Sequence, residues 1–367
     1  MIENHQKFMD LAIEIAAKGG RKTFPNPKVG AIVVKNGKIL ATGYHHEAGA
    51  PHAEVDALNK ITGHAEGATL YVSLEPCCHF GKTPPCTERI IKEKIGLVVC
   101  AMEDPNPLVA GKGFEALERS GIEVIKNINN SEARELNKEF IHFMHFNKPF
   151  VTLKIASTLD GKIATSSGNS KWISGEESRK YVHRLRSEAQ AIMVGVNTII
   201  KDDPQLNVRL EKHSEYIPRF ILDPELCIPL KAGVLNDDGR EITHLITSTT
   251  ADSDKIKAIR SLGAEVHQLP QRDGVFNHEE LLNYLGQMGM ISLFIEGGGN
   301  LASGFLKHNA VDRFLLFMAP ILLGDPDGIG FYKNRKCENI TDGIKMNLVQ
   351  SRQFGQDIFL EYRKETE

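Results

Sequence analysis

Six residues able to bind or serve a metal ion crowd two short stretches of this chain: His52 and Glu54 in the first, then Cys77, Cys78, His79 and Cys86 in the second. A metal held by both stretches obliges the fold to close the intervening chain on itself. One imidazole and two thiolates suit zinc, and three protein ligands leave a fourth tetrahedral position for water, which separates a catalytic site from a closed one. Zinc lowers the pKa of such a water toward neutrality, so the set implies hydrolysis. Residues two apart on a helix do not share a face, so Glu54 borders the cavity without ligating beside His52 and is the candidate proton carrier.

The order His-x-Glu, Pro-Cys and then a further Cys is that of zinc-dependent deaminases, whose glutamate is the general acid and base rather than a ligand. On that signature His52, Cys77 and Cys86 are the metal ligands and Glu54 is the catalytic group. Cys77, following Pro76, fits a helix N-terminus, where proline is tolerated and the dipole favours a thiolate. Cys78 cannot point the same way and is left to packing, with the exchange of Cys77 for Cys78 as the alternative. A closed structural site would need a fourth ligand, for which His79 is the near candidate, yet it would have no use for Glu54.

Eight residues, Cys-His-Phe-Gly-Lys-Thr-Pro-Pro, separate the two assigned cysteines, where deaminases of nucleosides and nucleic acids usually have two. With Thr23-Phe24-Pro25-Asn26-Pro27-Lys28-Val29-Gly30 upstream, this stretch closely resembles the deaminase half of the bifunctional riboflavin-biosynthesis deaminase/reductases, the RibD family. The resemblance implies that Asn26 and His45 line the substrate pocket and that His79, Lys82 and Thr83 contact a ribose phosphate. Lysine and hydroxyl donors suit a dianion.

The 367 residues suffice for two ordinary domains. A formal net charge of -3 gives no electrostatic reason to expect a nucleic-acid partner. No apolar run has the length of a membrane span, and the polar opening Met1-Ile2-Glu3-Asn4-His5-Gln6-Lys7 does not read as a signal peptide. Six cysteines, three of them in the metal motif, do not form a disulfide framework, so a cytoplasmic location is expected. Nothing in the sequence sets the oligomeric state, and a homo-oligomer is allowed.

Phe8, Leu11, Ala12, Ile15 and Ala16 recur at helical spacing. Val29 to Val34, Asn36-Gly37 and Ile39 to Tyr44 read as a hairpin with a type I′ turn. A helix from His52 to about Lys60, strands at Ala68–Leu74, Leu97–Ala101 and Glu123–Ile125, and helices near Phe114–Arg119 and Glu132–Phe143 make the first half a three-layer α/β domain.

In the second half, Val151 to Ser157 reads as an apolar strand interrupted by Lys154, and Ser174-Gly175-Glu176-Glu177 as a capping box opening a helix to about Glu188. Ala191 to Gly195 leads to Asn197-Thr198 and to Asp202-Asp203-Pro204-Gln205-Leu206-Asn207-Val208-Arg209. Ile291 to Glu296 delivers Gly297-Gly298-Gly299-Asn300 to a helix near Leu301. A glycine run between strand and helix lets phosphate oxygens reach bare N–H groups, but the spacing departs from the dinucleotide fingerprint of a standard Rossmann domain. Arg219–Asp223, Thr243–Thr247 and Glu265–Leu269 are expected to complete the sheet, and the stretch from Gly233 to Gln287 shows no recognisable chemistry.

This order of segments resembles the RibD reductase domain, so the resemblance runs from Asn26 to the last strands. It implies an N-terminal cytidine-deaminase-like three-layer domain, residues 1–146, and a C-terminal dihydrofolate-reductase-like domain, residues 150–367, divided near Asn147-Lys148-Pro149. It places Ala156, Trp172, Thr198, Asp202, Gly298, Gly299, Asn300, Leu301, Ala302, Ser303 and Gly304 against NADPH, and Lys154, Ser170, Arg186, Leu206, Arg209 and Glu296 against the substrate. Arg186 and Arg209 can clamp a phosphate in bidentate fashion. The implied activity is zinc-dependent deamination of 2,5-diamino-6-ribosylamino-4(3H)-pyrimidinone 5′-phosphate, followed by NADPH-dependent reduction of its ribosyl chain.

Overall fold

The computed structural model describes residues 2–80, 84–107, 109–210, 213–272, 274–333 and 337–364. The chain divides into two compact units, Met1–Asn147 and Lys148–Glu367.

The first unit opens with α1 (Ile2–Ala16), whose spaced apolar residues Met9, Ala12, Ile15 and Ala16 are buried. The hairpin β1 (Gly30–Lys35) and β2 (Lys38–Tyr44) turns at Asn36 and Gly37, both at positive φ as a type I′ turn requires. Then come α2 (Ala53–Asn59), β3 (Thr69–Val72), α3 (Cys86–Lys92), β4 (Leu97–Cys100), α4 (Lys112–Arg119), β5 (Glu123–Ile125), α5 (Asn130–Leu136) and α6 (Lys138–Phe146). The sheet order is β2-β1-β3-β4-β5, antiparallel through β3 and parallel beyond it. Two glycines fix the layers. A Cβ on Gly30 would strike the Ala12 carbonyl of α1 at 2.1 Å, and one on Gly43 would strike the Ala57 amide of α2 at 2.3 Å. Gly43 pairs with Ala31, next to Gly30, so the two glycines face opposite sides and the sheet lies between the helices.

Two expectations for this unit change. The single helix expected over Glu132–Phe143 is broken at Asn137, whose buried amide leaves the helix to bond the backbone of Lys28. Cys77 does not open a helix; it lies in irregular chain after β3, and Cys86 is the first residue of α3. Pro85 at the N-cap fits that start, because the residue before a proline is disfavoured in helix.

The second unit contains β6 (Phe150–Thr158), β7 (Lys162–Ala164), α7 (Glu176–Glu188), β8 (Ala191–Gly195), α8 (Val196–Asp202), β9 (Val208–Leu210), β10 (His213–Glu215) and β11 (Arg219–Leu222). It continues with β12 (Thr243–Ser248), α9 (Ser253–Ser261), β13 (Glu265–Leu269), β14 (Gln271–Arg272), β15 (Val275–Phe276), α10 (His278–Gln287) and β16 (Ser292–Glu296). Last come α11 (Gly299–Lys307), β17 (Arg313–Ala319), β18 (Ile329–Gly330), β19 (Met346–Phe354) and β20 (Asp357–Lys364). The main sheet runs β13-β12-β11-β8-β16-β6-β17-β20-β19, with the three expected strands β11, β12 and β13 at its parallel edge. One apolar cluster holds Phe317 and Phe359, a second Phe294's neighbours Leu293 and Ile295 with Phe305 of α11. The expected capping box of α7 is replaced. Gly175 is its N-cap, and the carboxylate of Asp357 accepts from the Gly175 amide at 2.7 Å and the Ser178 hydroxyl at 2.6 Å. A buried carboxylate from β20 thereby anchors the start of α7 through the N-cap amide and a first-turn hydroxyl.

Candidate active sites

In the first unit His52 caps α2, Glu54 is in its first turn, and the chain after β3 returns Cys77 to them. The Nδ1 of His52 stands 3.5 Å from Cys77 Sγ and 3.3 Å from Cys86 Sγ, and all three ligand atoms lie within 4.8 Å of one another. Tetrahedral zinc with one nitrogen and two sulfur ligands would separate N from S by about 3.6 Å, so these residues fit the ion. The backbone amide of Cys86, at the start of α3, donates to Cys77 Sγ at 3.3 Å. The helix that favours the Cys77 thiolate is therefore α3, reached through space. Hydrogen bonding from Cys86 draws the Cys77 pKa well down, against the opposing effect of burial. Cys78 is half-buried and lies outside this cluster.

Glu54 is buried, and burial together with the Cys77 thiolate raises its carboxyl pKa to about 7. A group poised there can take and return a proton near neutral pH. Asn26 Nδ2 lies 3.1 Å from His45 Nε2, His45 Nδ1 contacts the Pro51 carbonyl at 3.1 Å, and the His45 ring meets that of His52 edge-on at 5.6 Å. The fold thus gathers Asn26, His45, His52, Glu54, Cys77 and Cys86. His79 is exposed on the following loop, and Lys82 and Thr83 lie outside the described residues.

Two positioning residues escaped the reading of the sequence. Glu75, one residue before Pro76, is buried and accepts four backbone N–H groups: Asp104 at 3.2 Å, Gly111 at 3.0 Å, Gly113 at 2.8 Å and Phe114 at 3.4 Å. It ties the end of β3, from which Cys77 follows, to the entry of α4. Asn137 holds the Asn26 loop, accepting from the Lys28 amide at 2.8 Å and donating to its carbonyl at 2.9 Å. A poor helix former inside a helical run was the available signal for Asn137; a carboxylate between Leu74 and Pro76 was the one for Glu75.

In the second unit, β6 and β16 lie side by side in register, which sets Lys154 beside Glu296 on one face, with Ala156 two residues along. Arg186, from α7, grips Glu296 with two hydrogen bonds, one of them 2.9 Å from a terminal guanidinium nitrogen to Oε2, and also donates to the Asn207 carbonyl at 3.1 Å. Burial alone would raise the Glu296 pKa, but Arg186 and Lys154 hold it at about 2. Arg186 is consequently committed to a carboxylate, which alters the expected phosphate clamp. Arg209 is exposed, braced by Gln205 Oε1 and Asn207 Oδ1 at 2.8 Å each, with its amide bonded to His183 Nδ1 at 3.1 Å. The Leu206 side chain is buried in the apolar core, leaving only its backbone for a ligand.

The glycine run behaves as two groups. Gly297 has φ +126°, and a Cβ there would come within 3.0 Å of Thr198 Oγ1, so no side chain can fill the cradle between β16 and α8. Gly298 caps α11, whose N–H groups at Gly299, Asn300 and Leu301 have no helical acceptor, whereas Ala302 already bonds the Gly298 carbonyl at 3.2 Å. This bare helix start fits a nucleotide phosphate. Ala302, Ser303 and Gly304 are committed to packing: Ala302 is fully buried, Ser303 is bonded to Phe331 and Lys333, and Gly304 lies where a Cβ would strike His278 at 2.7 Å. Trp172 is 71% exposed with the Arg179 guanidinium 4.6 Å over its ring, and next to it Lys171 pairs with Asp202 at 3.7 Å. Ser170 is half-buried in the same segment.

A family model described as the cytidine and deoxycytidylate deaminase zinc-binding region matches residues 2–102, and the RibD C-terminal domain matches residues 149–360. The riboflavin biosynthesis protein RibD of Aquifex aeolicus is 44% identical over 362 residues, 99% of each chain. The chain belongs to the RibD family. RibD of Escherichia coli is 35% identical over 363 residues, 96% of this chain and 97% of that one. Among solved structures, Acinetobacter baumannii RibD superposes with a TM-score of 0.90 at 36% identity, covering 100% of both chains. A diaminohydroxyphosphoribosylaminopyrimidine deaminase/5-amino-6-(5-phosphoribosylamino)uracil reductase from Thermotoga maritima gives 0.87 at 36%, covering 99% of both. As a RibD protein the chain is a riboflavin-biosynthesis enzyme combining a zinc-dependent deaminase with an NADPH-dependent reductase, on the cytidine-deaminase-like and dihydrofolate-reductase-like folds expected. Among the described residues no helix is long and apolar enough to cross a membrane.

Proposed function

We propose that the first unit hydrolytically deaminates 2,5-diamino-6-ribosylamino-4(3H)-pyrimidinone 5′-phosphate and that the second reduces the ribosyl chain of the product to ribityl, giving 5-amino-6-(5-phosphoribitylamino)uracil. The observation that carries the reading is the buried Glu54 carboxyl beside an open set of three zinc-binding atoms. His52, Cys77 and Cys86 hold the metal, and zinc bound there supplies a Lewis acid that makes water available as a nucleophile near neutral pH. Glu54 takes the proton of the attacking water and returns it to the departing ammonia. Asn26 and His45, joined at 3.1 Å, present amide and imidazole edges to the pyrimidine ring. His79, Lys82 and Thr83 serve the ribose phosphate.

In the second unit Gly298, Gly299, Asn300 and Leu301 receive a phosphate of NADPH, with Ala156, Thr198, Asp202 and Trp172 along the rest of the cofactor, and NADPH supplies hydride. Lys154 and Glu296 face the opened sugar, Arg209 faces its phosphate, and Arg186 orients Glu296. Ser170 and the Leu206 backbone complete the substrate contacts. Six unpaired cysteines fit a reducing cytoplasm, and the partners are small molecules rather than nucleic acid.

The deciding experiment follows ammonia release and NADPH oxidation together, with zinc-loaded protein and the diaminopyrimidinone substrate, beside Glu54→Gln. The wild type should do both. The variant should release no ammonia yet oxidise NADPH when given the deaminated substrate, and substantial residual deamination would remove Glu54 from its role.

A further inference from the structure

The stretch from Gly233 to Gln287, which offers no recognisable motif, contains a second group of metal-ligating atoms. His244 is the second residue of β12, while Glu265 and His267 alternate on the neighbouring edge strand β13. The strands are parallel, with His244 paired to Glu265 and Ile246 to His267, so all three side chains project from one face. His244 Nδ1 lies 3.0 Å from His267 Nε2 and 3.3 Å from Glu265 Oε2, and His267 Nε2 lies 3.4 Å from the same oxygen. The edges of a tetrahedral face around zinc with nitrogen and oxygen ligands are about 3.3 Å.

Hydrogen bonding alone does not account for this triangle. A neutral imidazole carries one N–H and a carboxylate carries none, so the two rings bring at most two hydrogens to three contacts. One contact in any tautomer sets lone pair against lone pair or hydrogen against hydrogen, in a place where both rings are largely buried, at 14% and 12% exposure. A divalent cation satisfies all three atoms at once. The other nitrogen of His267 is held by the Tyr284 hydroxyl at 2.8 Å, the outer-sphere contact that orients a metal-bound imidazole. Glu265 is 59% exposed, leaving the remaining position to water.

We propose that His244, Glu265 and His267 bind a divalent transition-metal ion of the zinc class, a second site that clamps edge strand β13 to β12. Two imidazoles and a carboxylate without thiolate select zinc, cobalt or nickel over calcium or magnesium. The site lies near the start of its strands, whereas the Gly297–Gly299 cradle follows the end of β16, which runs parallel within the same sheet. It is thereby separate from the reductase site.

The test titrates metal-stripped full-length chain with cobalt and with zinc, reading metal per chain after dialysis and the cobalt absorption spectrum. Wild type should bind two ions. One cobalt should bring a thiolate charge-transfer band from the cysteine site, and the other only weaker visible bands. His267→Gln and His244→Gln should bind one ion, retain the thiolate band and keep both activities, which also shows that they fold. Tyr284→Phe should keep the second ion with affinity lowered roughly 10–100-fold. Binding of no ion besides the thiolate-associated one in wild type, or of the second ion unchanged in both histidine variants, overturns the proposal.

Discussion

Replacing Glu75 by glutamine changes almost no volume and removes one acceptor oxygen, which makes it a sharp probe of how the deaminase site is positioned. Only an acceptor with two free oxygens can take N–H groups from Asp104 and Gly111 on one side and Gly113 and Phe114 on the other. Glutamine keeps the shortest of the four bonds by setting its carbonyl toward Gly113, at 2.8 Å, and then presents NH2 to the Asp104 and Gly111 amides. Hydrogen bonds to a charged acceptor contribute about 1.5–3 kcal/mol each, so the loss of the two at 3.2 and 3.0 Å costs at least about 3 kcal/mol. For a unit of this size that corresponds to a fall in Tm of roughly 8–12 °C. Because Cys77 follows two residues later, zinc affinity should fall by about 10–100-fold, as for other changes to groups that support metal ligands. Calorimetry of the metal-free chain, amide hydrogen exchange and zinc competition read the three effects. Protection unchanged at Asp104 and Gly111, with a Tm shift under about 2 °C, would show that Glu75 does not hold this turn.

Asp357→Ala should lower the Tm of the second unit by roughly 4–8 °C, since leaving the Gly175 amide and the buried Ser178 hydroxyl without their acceptor costs about 2 kcal/mol; a shift under about 1 °C in calorimetry would refute that anchoring role. Acid should destabilise the second unit in two stages. Burial, Arg186 and Arg209 push the His183 pKa down to about 4, so its stabilising contribution is whole above its unfolded value of 6.5 and is lost as pH falls from there to 4; that of Glu296, held at about 2 from 4.5, is lost below pH 4.5. Urea midpoints measured across this range should lose part of their upper stage in His183→Gln, the remainder belonging to His278, whose pKa burial also lowers to about 4, and should keep the lower one; an unchanged upper stage would contradict the assignment.

What could be read from the chain was what its local order encodes. The metal-binding residues announce themselves by type and spacing, and Asn36-Gly37 encodes its turn because two adjacent residues alone supply both positive φ angles. The contacts that position the sites are of another kind. Glu75 meets Gly111 across 36 positions of sequence, Asn137 meets Lys28 across 109 and Asp357 meets Gly175 across 182. No periodicity or cap motif registers such a pair, because the side chain looks like any surface polar group until the fold buries it. The misplacement of the Cys77 helix has the same origin: the favourable dipole exists, but it belongs to α3 and acts across the bend rather than along the chain.

A buried Arg186 paired with Glu296 contributes little net stability, since desolvating both ions offsets most of their attraction, so its role is sought in the site. That role is orientation with charge balance. Glu296 neutralises one cation and is held in place by two hydrogen bonds, leaving Lys154 and Arg209 uncompensated within the group. Two surplus positive charges match the roughly −2 of a phosphate monoester at neutral pH. Without Glu296 the site would be overcharged for that ligand, and without Arg186 the carboxylate would be a buried anion facing the substrate. In the proposed reading the pair sets the field, and the exposed Arg209, braced by Gln205 and Asn207, is the group that would meet the phosphate.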